Sequence, residues 1–178
     1  LQHFGREGGN QSLERSTLAG LGAALAAVTD MRRREGLALL ASFRAQAADL
    51  RRMHVDIGSL AVGRAAKHRD ALSARLREAL GAAHPVPDEV LVRELAVYAD
   101  RIDVSEELVR LASHLDALDQ LLSAADDAVG RKLEFLLQEL GREVNTTGAK
   151  SNDAALTRLV LDAKAVLEQM REQAANVA

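Results

Sequence analysis

Apolar residues recur three and four positions apart along almost the whole chain, and that spacing dictates helices. From Leu13 the line runs through Leu18, Leu21, Leu25 and Val28, returns at Leu39, Phe43, Leu50, Met53 and Ile57, and resumes through Leu72, Leu76 and Leu80. The pattern predicts a long amphipathic helix. Gly36 lies inside it and Gly58 and Gly63 near its middle. Each costs about 1 kcal/mol against Ala in a helix, so a kink or break is expected around residues 57 to 63. Gly81 and the segment His84-Pro85-Val86-Pro87-Asp88 stop the helix, since neither proline can donate a hydrogen bond and each constrains its predecessor.

A second helix is predicted from Asp88, a good N-cap, along an apolar line at Val104, Leu108, Leu111, Leu115, Leu118 and Leu122, ending around Ser123 to Asp127. A third, from about Val129 to Thr146, buries Leu133, Leu136, Leu137, Leu140 and Val144. A fourth, from about Asp153 to Asn176, carries Leu156, Leu159, Val160, Ala163, Leu167 and Met170, with residues 147–152 as the turn before it. Short links and apolar stripes together predict an all-α fold of long antiparallel helices in a bundle. The composition agrees: apolar residues are 48%, aromatics 2%, and Pro only two.

Three regions follow. Residues 1–16 are polar and Gly-rich without helical period, and read as poorly structured or as the remnant of a missing N-terminal domain, in keeping with a chain that opens on Leu. Residues 17–88 form the long helical region and residues 89–178 the three-helix region. A chain of 178 residues is long enough to bury a core, with roughly 70% of the unfolded surface removed.

Several chemistries are excluded. With no Cys there is no disulfide framework and no thiolate nucleophile or ligand, so any metal must be held by carboxylate or imidazole. No window approaches the roughly 18 apolar residues that span a bilayer, and the first six residues have no apolar signal core, so a soluble, cytoplasmic protein is expected. The net charge of -3 hides an asymmetry: residues 1–88 carry 13 Lys and Arg against 9 Asp and Glu, and residues 89–178 carry 10 against 17. A weakly acidic whole must contact RNA, if at all, through local basic stripes or an assembled surface.

Two stripes carry candidate chemistry. Asp103, Glu107, Arg110 and His114 fall at i, i+4, i+7 and i+11, one face of one helix at 100° per residue. Carboxylates for a hard cation, imidazole for proton transfer and guanidinium for phosphate charge are the types that phosphodiester chemistry uses. On the third helix Arg131, Gln138, Arg142 and Asn145 form a donor-rich row suited to phosphates and base edges, and Phe135 among them could stack a base. Glu139 and Glu143, one turn apart, could share a divalent ion. The turn through Gly148, Lys150 and Asn152 could seat a phosphate ahead of a helix N-terminus. Arg32-Arg33-Arg34 reads as a solvated face, and His3, His54, His68 and His84 lack ligand partners at useful spacing.

Read together, the segments Met31-Arg32-Arg33-Arg34-Glu35-Gly36, Arg101-Ile102-Asp103-Val104-Ser105-Glu106-Glu107-Leu108 and Val129-Gly130-Arg131-Lys132-Leu133-Glu134-Phe135 resemble the YicC-like endoribonuclease family in order and spacing. The signal continues through Gln138-Glu139-Leu140, Arg142-Glu143, Asn145-Thr146 and Gly148-Ala149-Lys150 to Glu168-Gln169-Met170-Arg171. The resemblance implies a bacterial, cytoplasmic, metal-dependent endoribonuclease using Mn²⁺ or Mg²⁺, a homo-hexamer around an RNA-binding space, and a link to polynucleotide phosphorylase. It carries Arg101, Asp103, Glu106, Glu107, Arg110, His114, Arg131, Gln138, Glu139, Arg142, Glu143, Asn145 and Lys150. On this reading Glu107, His114, Glu139 and Glu143 are catalytic, and Glu107, Glu139 and Glu143 hold the metal. Arg101, Arg110, Arg131, Gln138, Arg142, Asn145 and Lys150 bind RNA. A non-catalytic helical adaptor is the rival. The chain departs from the family at Gly141, where Asn is usual, at Thr147, where an apolar residue is usual, and at Ala149, where Ser is usual. The family's N-terminal domain is expected to be lacking.

Overall fold

Gly63 takes φ +77°, a conformation that suits glycine, and the long first helix breaks there, within the span where the glycines predict it. The computed structural model describes residues 4–80, 88–124 and 129–175. Among them are α1 (Phe4–Ala61), α2 (Arg64–Leu80), α3 (Asp88–Ile102), α4 (Ser105–Ser123), α5 (Val129–Ala149) and α6 (Ala154–Ala174). Gly36 and Gly58 stay inside α1. The expected stop at residues 81–87 lies outside the described residues, although α3 begins at Asp88 as its cap predicts.

Three boundaries differ from the sequence reading. The start is helical from Phe4, ahead of the apolar period. The expected second helix is two, divided at Asp103 and Val104. The cause is local: Asp103 Oδ1 accepts from the Ser105 backbone N–H at 2.9 Å and from its hydroxyl at 2.5 Å, a side-chain bond that competes with the helical ladder. Finally, α5 runs on to Ala149, because Thr147 is fully buried and returns its hydroxyl to the Glu143 carbonyl at 2.9 Å. The turn then shortens, and Asp153 caps α6 by accepting from the N–H groups of Ala155 and Leu156.

The chain forms two compact units, residues 1–42 and 43–178. The first is helical, and its apolar line is exposed: Leu18, Leu21 and Leu25 are each more than half accessible. The amphipathic pattern alone would not predict that exposure.

In the second unit the core is built from Phe43, Leu50 and Ile57 of α1, Leu111, Leu115 and Leu118 of α4, Leu133, Leu137 and Leu140 of α5, and Leu156, Val160 and Leu167 of α6. Each side chain so buried contributes about 1.5–3 kcal/mol. Neighbours are antiparallel, as their cross-contacts show. Arg51 meets Asp116 and Asp119 while His54 meets Leu108, and Glu107 meets Lys150 while Arg110 meets Glu143. The bundle of long antiparallel helices is therefore present. No helix among the described residues is long and apolar enough to cross a membrane.

Candidate functional site

Antiparallel register turns two separate sequence stripes into one groove. Along α4, Arg110, His114, Ala117 and Leu121 lie beside the core line, and along α5, Glu143, Glu139, Leu136 and Lys132 run in the opposite direction on the facing edge. His114, Glu139 and Glu143 meet there: one ligand atom from each lies within 4.8 Å of the others. Glu143 is 3% exposed. Its side chain makes no hydrogen bond among the described residues, its nearest counter-charge being Arg110 Nη1 at 3.6 Å from Oε1. A carboxylate buried so deeply is costly unless it is paired or coordinates a cation. One imidazole and two carboxylates form a mixed nitrogen–oxygen set without sulfur, in which the carboxylates suit Mn²⁺ or Mg²⁺ and the imidazole suits an ion of borderline character. The donor set fits such a cation.

Two residues expected in this chemistry are elsewhere. Glu107 is buried at 6% exposure and accepts at Oε1 from Lys150 Nζ at 2.7 Å, so it is not among the three clustered ligands and Lys150 is already paired. The single stripe of Asp103 with Glu107 is also broken by the interruption between α3 and α4. Asp103 instead closes the corner. The hydroxyl and then the N–H of Ser105 hold its carboxyl below the ordinary range, with the positive charge of Lys150 adding a smaller pull. Arg110, half exposed, pairs with Glu106 and approaches Glu143.

The donor row survives. Arg131, Gln138, Arg142 and Asn145 are all exposed on α5, and their side chains make no hydrogen bond or ion pair to a described residue. Arg101 is exposed at the end of α3. Phe135 is 60% exposed and stands one turn before Glu139.

Sequence reasoning passed over Arg64 and Arg171. Arg64 is buried, and its guanidinium donates to the Ile102 carbonyl at 3.3 Å, the Lys150 carbonyl at 2.9 Å and Asn152 Oδ1 at 2.8 Å. Asn152 in turn donates to the Tyr98 hydroxyl at 2.6 Å, and the Tyr98 ring stacks on His68. This network ties α2 and α3 to the α5–α6 turn. Only its position after Gly63 could have drawn attention to Arg64. Arg171 lies across α5 with its guanidinium in the space a side chain at position 141 would fill, so the departure at Gly141 makes room for a cation.

Comparison with known proteins finds one family. The description "Endoribonuclease YicC-like, C-terminal" applies to a family model that matches residues 57–178. The chain is 37% identical over 155 residues to a "Probable endoribonuclease YicC" of Clostridioides difficile (strain 630), covering 86% of this chain and 52% of that one. It is 46% identical over 85 residues to a "Probable endoribonuclease YicC" of Haemophilus influenzae, covering 48% of this chain and 29% of that one. The chain thus spans at most about half the length of these relatives.

Proposed function

Because this chain belongs to the YicC-like endoribonuclease family, we propose that it cuts RNA phosphodiester bonds in the α4–α5 groove, with Mn²⁺ or Mg²⁺ held by His114, Glu139 and Glu143. The observation that carries this reading is the buried Glu143 carboxylate, clustered with a second carboxylate and an imidazole, with a counter-charge no nearer than 3.6 Å. His114 takes the place that the sequence suggested for Glu107, which is neutralised by Lys150.

When bound, the cation supplies Lewis-acid stabilisation of the charge that develops on the phosphoryl oxygens. The chain's own groups do the positioning. Arg110 holds Glu143 from one side and Glu106 holds Arg110, so the carboxylate keeps its orientation. Arg142 and Gln138, on either side of Glu139 in sequence, supply donors for non-bridging phosphate oxygens, and Arg131 and Asn145 extend the row by a turn or more in each direction. Guanidinium and amide donors of this kind fix the register of the backbone at the cluster and leave base identity unread.

The test is incubation of the purified chain with labelled RNA and Mn²⁺. Shortening of the RNA that stops in His114→Ala and in Glu139→Ala, with helical circular dichroism unchanged, supports the proposal. Metal-independent cutting that survives both changes sinks the assignment. RNA binding without cutting under any divalent ion favours a non-catalytic adaptor.

A further inference from the structure

Beside the carboxylate cluster the same α4–α5 groove widens into an open, largely apolar recess of about 740 Å³, lined by Ala117, Leu121, Leu136 and Phe135, with Gln120 and Arg131 among its polar groups. We propose that this recess takes one unstacked nucleobase of single-stranded RNA, next to the phosphate that is cut. The inference rests on the nuclease reading of the groove and names the form of RNA that enters it.

Three observations identify the occupant. The recess is continuous with the cluster in register: His114 is followed at i+3 and i+7 by Ala117 and Leu121, and Glu139 is preceded one turn earlier by Phe135, about 6 Å along the helix. A phosphate held at the cluster therefore brings its neighbouring base to the recess. Phe135 leaves 60% of its surface accessible in a chain with only three Phe, one Tyr and no Trp. An exposed ring beside apolar side chains presents a flat π-face, and stacking on such a face binds any base with little sequence preference. The third is complementarity. Gln120 has both a donor and an acceptor for a base edge, and Arg131 supplies a cation for the next phosphate, while the small side chains of Ala117 and Ala124 keep the recess open. A volume of this size is ample for a base and ribose. Duplex RNA does not satisfy the arrangement, because a paired base offers neither free face to the ring.

The absence of native Trp gives a direct probe: Phe135→Trp places a single indole in the recess. Titration of this variant with single-stranded RNA should quench its fluorescence, and an oligonucleotide made abasic at each position should not, although both bind by anisotropy. Phe135→Ala should weaken single-stranded RNA about tenfold or more and leave duplex RNA unaffected. Equal quenching by abasic and intact RNA, or unchanged affinity in Phe135→Ala, overturns the proposal. A Phe135→Ala protein that falls apart into smaller species in light scattering also overturns it, since the recess would then hold a second copy. Quenching by intact RNA without any cutting leaves the base site standing and removes the nuclease reading. Cutting that is insensitive to Phe135 does the reverse.

Discussion

Lys150 Nζ lies 2.7 Å from Oε1 of Glu107, and this contact joins the end of α5 to the first turn of α4. The other carboxylate oxygen, Oε2, is buried without a hydrogen bond. Removal of the ammonium therefore leaves an uncompensated buried charge, which is costlier than the pair itself was favourable. Lys150→Met is expected to lose about 2–3 kcal/mol in urea unfolding. The double change Lys150→Met with Glu107→Gln should lose less than the sum of the singles, because the orphaned charge is then gone. RNA affinity, measured where the variants are folded, should stay at the native level. A large loss of affinity in Lys150→Met would return this lysine to the phosphate-binding set.

The same pair shows where sequence reading stops. Glu107, Glu139 and Glu143 are identical in type and all sit on amphipathic helices, so spacing alone gives each an equal claim on a cation. What separates them is register between helices: Lys150, 43 positions away, reaches Glu107, whereas His114 reaches Glu139 and Glu143. The helices themselves were legible because burial imposes a 3.6-residue period, as the run Leu133, Leu137, Leu140 and Val144 demonstrates. The break at Asp103 was not, because residues on both sides are helical and the two bonds that Asp103 accepts from Ser105 decide the matter. Arg64 was invisible for a related reason, since all its acceptors lie 38 or more residues away.

Divalent metal should report on the cluster without any reference to cutting. A cation that binds the folded chain alone stabilises it by mass action, by about 2.7 kcal/mol at a hundredfold excess over the dissociation constant. Mn²⁺ is thus expected to raise the melting temperature of the native chain, and Glu143→Gln to abolish the rise. In the absence of metal Glu143→Gln should be no less stable than the native chain, because it removes a buried charge whose nearest counter-charge among the described residues is Arg110 at 3.6 Å. Equal Mn²⁺ stabilisation in the variant would place the cation elsewhere.

Acid should loosen the α3–α4 corner before the bundle. The Asp103 carboxyl is held below its ordinary pKa, first by the Ser105 hydroxyl and then by the Ser105 N–H. A depressed carboxyl contributes stability that is present above its unfolded value and is lost as pH falls through its folded value. Because Asp103 is exposed, the contribution is small and local. An NMR titration should find Asp103 ionised below the usual carboxylate range, and Ser105→Ala should move its midpoint part of the way back, since the backbone N–H bond remains. A midpoint unmoved by Ser105→Ala would contradict the cause assigned here.

Gly141 and Arg171 should be energetically coupled. An interior helical glycine replaced by alanine normally gains about 1 kcal/mol. Here the new methyl group would overlap the Arg171 guanidinium, which donates through Nη2 to the Leu137 carbonyl at 3.2 Å and lies 3.5 Å from Glu168. Arg171 is long and 42% exposed, so it can swing away, and the bond it gives up is worth about 1 kcal/mol. Gly141→Ala is therefore expected to be nearly neutral in the native chain and to stabilise by about 1 kcal/mol in an Arg171→Ala background. Urea unfolding of the four proteins measures the difference. The same gain in both backgrounds would mean that the guanidinium does not occupy the space above Gly141 in solution.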